Sequence, residues 1–332
     1  MKGSKWQFRN VEFQSEDAIL RGRLYTPKWF SRSLPAVVMT HGFSATITMA
    51  IDHYAEALCS ERIAVLLYDH RNFGISDGEP RRHINPWLQA RGYRDALSYL
   101  EGLDEIDSAR LGLWGDSASS AVAMVIAAID KRVKALSLQT PALGRTAPPV
   151  DPDGTRFQRI KETVLRGNIN SAVKTEGPMP VVSFDPIRHP SAFAPLTAYR
   201  WFIEYGGRLG TNWVNDVTRV MPNTPEPWNA VVCAPYVHAP VLMIVSPQDE
   251  MAGASPKLAR MTFEALPGAK EWMEIDGGHF GLLYYPSELF EQASSAQCRF
   301  FKSHLLDGRA RSRETSRRRR TRSSGRSKGR RG

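Results

Sequence analysis

The sequence predicts an α/β fold, a mostly parallel central sheet covered by helices and interrupted by a mainly helical insertion. Three observations carry this reading. Residues 35–40 (PAVVMT), 63–68 (IAVLLY) and 241–245 (VLMIV) are short, nearly continuous apolar runs, as expected of strands covered on both faces. Helical stretches separate such runs in a repeated β-α-β order, which favours a parallel sheet with right-handed crossovers. Between about Pro141 and Pro240 the regularity is lost, and connections of that length rarely lack a role.

Taken in chain order, residues 11–13 and 18–25 alternate polar and apolar side chains around a turn at 15–17, which predicts an opening hairpin. Residues 51–60 read as a helix between the first two buried runs. A second helix is expected over about 85–102, with Leu88, Tyr93, Ala96, Leu97, Tyr99 and Leu100 as candidates for its inward face. A short strand at 111–114, a small-residue helix at 118–129 and a strand at 133–138 follow. Within the irregular stretch, 153–165 and 195–205 look helical. The sheet resumes at 241–245, then come a helix over 256–266, a last strand at 271–275 and a final helix over 290–301. The expected organisation is a core from residues 1–140 and 240–306, a cap insertion over 141–239, and a disordered arginine-rich tail from 307 to 332. No internal repeat is apparent.

Composition sets bounds on function. The chain has 332 residues and a net charge of +10, but Arg309 to Gly332 hold eleven Arg and one Lys against Glu314 alone. The preceding 308 residues carry 32 basic and 33 acidic side chains, so the body is nearly neutral and is not a basic nucleic-acid-binding fold. The tail is a candidate to contact nucleic acid or another anionic surface, weakening with salt in the former case; an incidental solubilising role is the alternative. A body this long buries about 70–75% of its surface. Neither a signal peptide nor a transmembrane stretch is evident, so the default location is cytoplasmic. Cys59, Cys233 and Cys298 are odd in number and widely spaced, which suits reduced core thiols. No cofactor is implied, metal or organic, because the histidines lack ligand partners at metal-site spacing and no G-x-G-x-x-G occurs.

The chemistry rests on four loops. Gly115-Asp116-Ser117-Ala118-Ser119 joins a predicted strand to a predicted helix, which places Ser117 on a sharp turn with its hydroxyl projecting from the sheet edge. A serine hydroxyl is a poor nucleophile unless a histidine takes its proton and a carboxylate orients that histidine. His279 in Gly277-Gly278-His279-Phe280 and Asp249 after VLMIV follow in the order Ser, Asp, His; the adjacent Glu250 is the alternative orienter. Ser117 as a simple helix N-cap would not account for the two later loops. The backbone N–H groups of Ala118 and of Phe43, in His41-Gly42-Phe43, are the candidate oxyanion donors. His41 is read as loop scaffolding. Asp77, Asp116 and Asp276 are read as turn or supporting residues. Trp201, Phe202, Tyr205 and Trp213 in the cap are candidates to line an apolar acyl pocket, against the plainer reading that they pack the cap on the body.

With these loops in place, the chain resembles serine hydrolases of the α/β-hydrolase superfamily over about residues 10–306. The stretch Tyr68-Asp69-His70-Arg71-Asn72-Phe73-Gly74-Ile75-Ser76-Asp77-Gly78-Glu79-Pro80 is further similar to the DxRxFGxSxG loop of the subgroup of dienelactone-hydrolase-like proteins, acetylxylan-esterase-like proteins and polyketide transferases. The resemblance implies an α/β-hydrolase fold and a structural role for Asp69, Arg71, Gly74 and Gly78, with the charged pair bracing the sheet edge. It implies cleavage of a carboxylic ester of a small or medium apolar acyl group through an acyl-enzyme, with acyl transfer or thioester cleavage, or a non-catalytic binder, as alternatives. A small-molecule ester or other acyl compound is the expected partner, and a homo-oligomer is possible. One departure stands out: Ser119 occupies the last position of the usual G-x-S-x-G, where a side chain could crowd the helix against the strand; because Ser is small and Gly115 remains, an adapted elbow is expected.

Overall fold

The computed structural model describes residues 4–169 and 173–306. The arginine-rich tail expected over 307–332 lies outside the described residues. An eight-stranded sheet runs through the core in the order β1 (Trp6–Ser15), β2 (Ala18–Pro27), β4 (Ala64–Tyr68), β3 (Leu34–Thr40), β6 (Ile106–Asp116), β7 (Val133–Gln139), β10 (Val241–Val245) and β11 (Lys270–Glu274). The hairpin of β1 and β2 is antiparallel and joins β4 antiparallel; from β4 to β11 every pairing is parallel.

The pleat explains the continuous apolar runs. Along β3 and β4, Val38 and Leu66 enter one core cluster with helices α2 (Pro86–Glu101) and α3 (Ala118–Ile129), while Val37, Met39, Val65 and Leu67 enter a second with α1 (Ile51–Ser60) and α7 (Glu288–Phe301). Both faces are thus buried, and neither alternates with polar residues. Helix starts follow local chemistry: the Asn85 side chain accepts from Trp87 N at 3.1 Å ahead of Pro86, and Ser287 accepts from Phe290 N at 3.1 Å. The strand β6 begins five residues earlier than the apolar run predicts. Its polar opening passes through an irregularity opposite Leu34–Ala36, and Asp107 and Arg110 pair across it at 2.8 Å.

Residues 141–239 hold α4 (Thr155–Arg166), β8 (Val173–Met179), α5 (Leu196–Gly206), β9 (Val217–Pro222) and a 3₁₀ turn at Val231–Tyr236. The two helices fall within two residues of expectation. The strands do not figure in the sequence reading: β9 pairs with β8 and with the two-residue β5 (His83–Ile84) of the core, forming a separate three-stranded sheet. The cysteines Cys59, Cys233 and Cys298 are buried and unpaired, and burial pushes the thiols of Cys59 and Cys298 up to about 12. No helix of the described residues is long and apolar enough to cross a membrane.

Candidate active site

Parallel strands carry their carboxyl ends to one edge, and β3, β6, β10 and β11 deliver the four loops there. Ser117 follows β6 directly with φ 53° and ψ −119°, a conformation rarely taken by a residue with a side chain. The neighbouring glycines make that turn possible. A Cβ on Gly115 would lie 2.6 Å from the Ser119 carbonyl and the Ser120 Cα, and one on Gly42 would lie 3.1 Å from the Ser117 Cβ. Ser119 does not crowd the elbow. Its hydroxyl accepts from Asp116 N at 2.9 Å and reaches the carbonyls of Asp116 at 2.9 Å and Thr40 at 3.2 Å, tying the end of β6 to the end of β3.

Ser117 Oγ lies 2.8 Å from His279 Nε2, and His279 Nδ1 lies 2.7 Å from Asp249 Oδ2. The other Asp249 oxygen accepts from Met251 N at 2.9 Å. Asp249 is therefore the carboxylate that meets the imidazole ring. Glu250 serves the loop instead: its Oε2 accepts the backbone N–H of His279 at 2.8 Å, and its Oε1 accepts the Thr197 hydroxyl. Gly278 gives that carboxylate its approach, with φ +66° and no room for a Cβ, which would come within 2.7 Å of Oε2. The Asp249 and His279 side chains are nearly fully buried. Burial by itself depresses an imidazole pKa, but the hydrogen bond and charge of Asp249, with the charges of Asp116 and Glu250, outweigh it and hold His279 above its ordinary value.

The backbone N–H groups of Phe43 and Ala118 make no hydrogen bond within the described protein, and both residues line the cleft beside Ser117. His41 is buried behind them, its Nδ1 against its neighbour's carbonyl at 2.8 Å and its Nε2 accepting from His70 N at 3.1 Å. Burial pulls its pKa down to about 4, so it is a neutral scaffold. The Asp69 carboxylate accepts from Ile47 N at 2.9 Å and Ile75 N at 3.0 Å. Arg71 pairs with Asp17 in the hairpin turn, so the expected Asp69–Arg71 brace is corrected: the two side chains act on different neighbours.

The match to the Alpha/beta hydrolase family spans residues 37–293. The chain belongs to that family. This alpha/beta hydrolase is 30% identical to the thiohydrolase AneE of Aspergillus aculeatus over 313 residues, covering 90% of this chain and 94% of the relative. It is 36% identical to the acyltransferase DrtE of Aspergillus calidoustus over 185 residues, 54% of this chain and 59% of the relative. Among solved structures, DcsB in complex with its substrate analogue superposes with a TM-score of 0.68 at 26% identity, covering 90% of this chain and 99% of that one. Fold and relatedness make the hydrolase an enzyme of the α/β-hydrolase type acting on an acyl or ester substrate.

Two spaces open beside Ser117. An outer cleft of about 850 Å³ is bounded by the Phe43, Ala118 and Met251 loops, by Arg145, and by Phe193 and Arg219 of the cap. An inner pocket of about 20 Å³, room for roughly one water, is walled by Met49, Ile51, Trp201, Phe202, Phe280 and Leu283 among others. Of the four cap aromatics named from sequence, Trp201 and Phe202 line this pocket. Tyr205 and Trp213 stand one layer back, Tyr205 stacked on Trp201 at 5.4 Å and Trp213 on Phe202 at 5.5 Å, and so pack the cap in place of lining the pocket. Phe193, another of the cap aromatics, lines the pocket as well, and Phe280 is a lining residue that sequence reasoning missed; directly after His279 in the GGHF loop, it offered a signal by its position alone.

Proposed function

We propose that this chain is a serine-dependent acyl hydrolase that cleaves carboxylic esters through an acyl-enzyme. The carrying observation is the continuous Ser117–His279–Asp249 relay, 2.8 Å and 2.7 Å long and shielded from solvent. In the proposed reaction Ser117 Oγ attacks the ester carbonyl while His279 Nε2 takes its proton, and Asp249 holds the ring and stabilises the imidazolium. The carbonyl oxygen, now negative, receives the Phe43 and Ala118 amides; each such donor is worth roughly 3 kcal/mol to the transition state. His279 then returns its proton to the leaving alkoxide. Water, deprotonated by the same imidazole, releases the acid and restores Ser117.

The relative named a thiohydrolase over nearly the whole chain favours a second reading, thioester cleavage by the same steps with a thiolate leaving. The outer cleft has space for an acceptor alcohol, and the relative named an acyltransferase makes transfer a variant of that second half-reaction. A fluorophosphonate probe tests the shared step: the folded protein is expected to be labelled at Ser117 and S117A is not. Absence of label on folded wild type would end the proposal. Turnover of matched oxygen and thiol esters, with and without added alcohol, then separates the readings.

A further inference from the structure

Asp116, immediately before Ser117, is a carboxylate that the triad does not use. It is 3% exposed and lines the inner pocket. One oxygen is occupied: Oδ1 accepts from Gln139 Nε2 at 3.0 Å and faces the Thr140 hydroxyl at 3.4 Å. Gln139 is itself fixed, since the buried Gln297 of α7 donates to its Oε1 at 2.9 Å. The second oxygen, Oδ2, accepts nothing among the described residues and is turned toward Gly42, where a Cβ would stand 3.4 Å from it. Gly42 is itself a wall of the inner pocket, and apart from Ser117 and His279 the remaining walls are apolar side chains. In a residue this nearly buried, a carboxylate oxygen without a donor is uncommon, because its reduced hydration is normally made good by a hydrogen bond. Burial raises the Asp116 pKa to about 6, with the His279 charge and the Gln139 and Thr140 contacts working against that rise, so at neutral pH the group is an acceptor only.

We propose that Asp116 Oδ2 accepts a hydrogen bond from a hydroxyl carried by the acyl group a few atoms from the reacting carbonyl, making hydroxyacyl compounds the preferred substrate class. The proposal rests on the acyl-hydrolase reading above. A hydroxyl suits the pocket because it satisfies the carboxylate without bringing a second charge into apolar surroundings. Specificity of this kind is steep, since an analogue without the hydroxyl occupies the pocket and leaves the carboxylate oxygen unpaired.

The test compares N-acetylcysteamine thioesters of 3-hydroxybutyrate and butyrate, and of glycolate and acetate, on wild type and D116N. In the variant the Asn carbonyl stays against Gln139 and the amide nitrogen faces the pocket, so an acceptor becomes a donor. Wild type is expected to favour one or both hydroxyacyl members in kcat/KM by at least about tenfold, and D116N to bring that ratio near one. A wild-type ratio near one for both pairs would overturn the proposal. So would D116N lowering both members of a pair equally with a shifted acid limb, which is the behaviour of a charge acting only through His279. Should D116N fail to fold, protection of wild-type Ser117 from fluorophosphonate by 3-hydroxybutyramide against butyramide, and by glycolamide against acetamide, reads the same preference, and equal protection within both pairs overturns it. Labelling of Ser117 in wild type reports separately on the hydrolase reading, so failure of that reading is seen as loss of label and not as a ratio.

Discussion

Two adjacent carboxylates, Asp249 and Glu250, touch the same histidine, and replacing each by its amide separates their roles. In D249N the carbonyl oxygen has a fixed place, because one Asp249 oxygen already accepts Met251 N at 2.9 Å. The amide nitrogen then faces His279 Nδ1 and donates to it, which forces the proton to Nε2, the atom that must accept from Ser117. Loss of the correct tautomer in a Ser-His-Asp system costs about 10⁴ in kcat, or about 5 kcal/mol at 1.36 kcal/mol per decade. Glutamine at 250 keeps an oxygen for the His279 N–H and an amide group beside Thr197. Exchanging a charged for a neutral hydrogen bond costs on the order of 1 kcal/mol, so E250Q is expected to stay within about tenfold of wild type. Stopped-flow and steady-state hydrolysis of a nitrophenyl ester across pH 5–9 measure both. His279 is held above the ordinary imidazole value of 6.5, so the acid limb of wild-type kcat/KM is expected above pH 6.5. In D249N the hydrogen bond and charge of Asp249 are gone while burial remains, and the limb moves to lower pH. E250Q falling as far as D249N, or D249N retaining more than about 1% of kcat, would refute the assignment.

The elbow and the cap yield the remaining predictions. S119A leaves Asp116 N without the hydroxyl it donates to and is expected to lose about 1–3 kcal/mol in urea unfolding; S119G, which restores the usual family glycine, is expected to lose at least as much because glycine adds about 0.5–1 kcal/mol of backbone entropy. If S119G is as stable as wild type, the hydroxyl contacts contribute nothing. G115A places a Cβ 2.6 Å from the backbone of Ser119 and Ser120 and is expected to abolish fluorophosphonate labelling together with a lowered Tm. W201F, which thins a wall of the inner pocket, is expected to change the preference between acetyl and longer acyl esters, whereas W213F, one layer back, lowers Tm with that preference unchanged; the reverse pattern would put Trp213 in the pocket.

What the sequence made legible divides along the range of the forces involved. Strands such as β3, β4 and β10 are announced by their own residues, because burial on both faces demands an apolar side chain at nearly every position. The loops of Ser117, Asp249 and His279 are legible for a related reason: parallel strands carry their carboxyl ends to one edge, so three loops after three such strands are brought together by topology. The cap offers no such local signal. The strand β8 is exposed along almost its whole length and owes its existence to pairing with β9, while β5 is two residues that become a strand only because β9 lies beside them. Asp249 is the preferred orienter in the sequence with Glu250 as the alternative, and the turn after β10 aims Asp249 at the imidazole ring while Glu250 takes the His279 backbone N–H. Asp116 is the sharper case. Its place before Ser117 marks it as a turn residue; that Gln139 occupies one of its oxygens while the other faces an apolar pocket depends on side chains from β6, β7 and α7 meeting in space. Contacts of that kind join residues distant in the chain, so no local motif announces them.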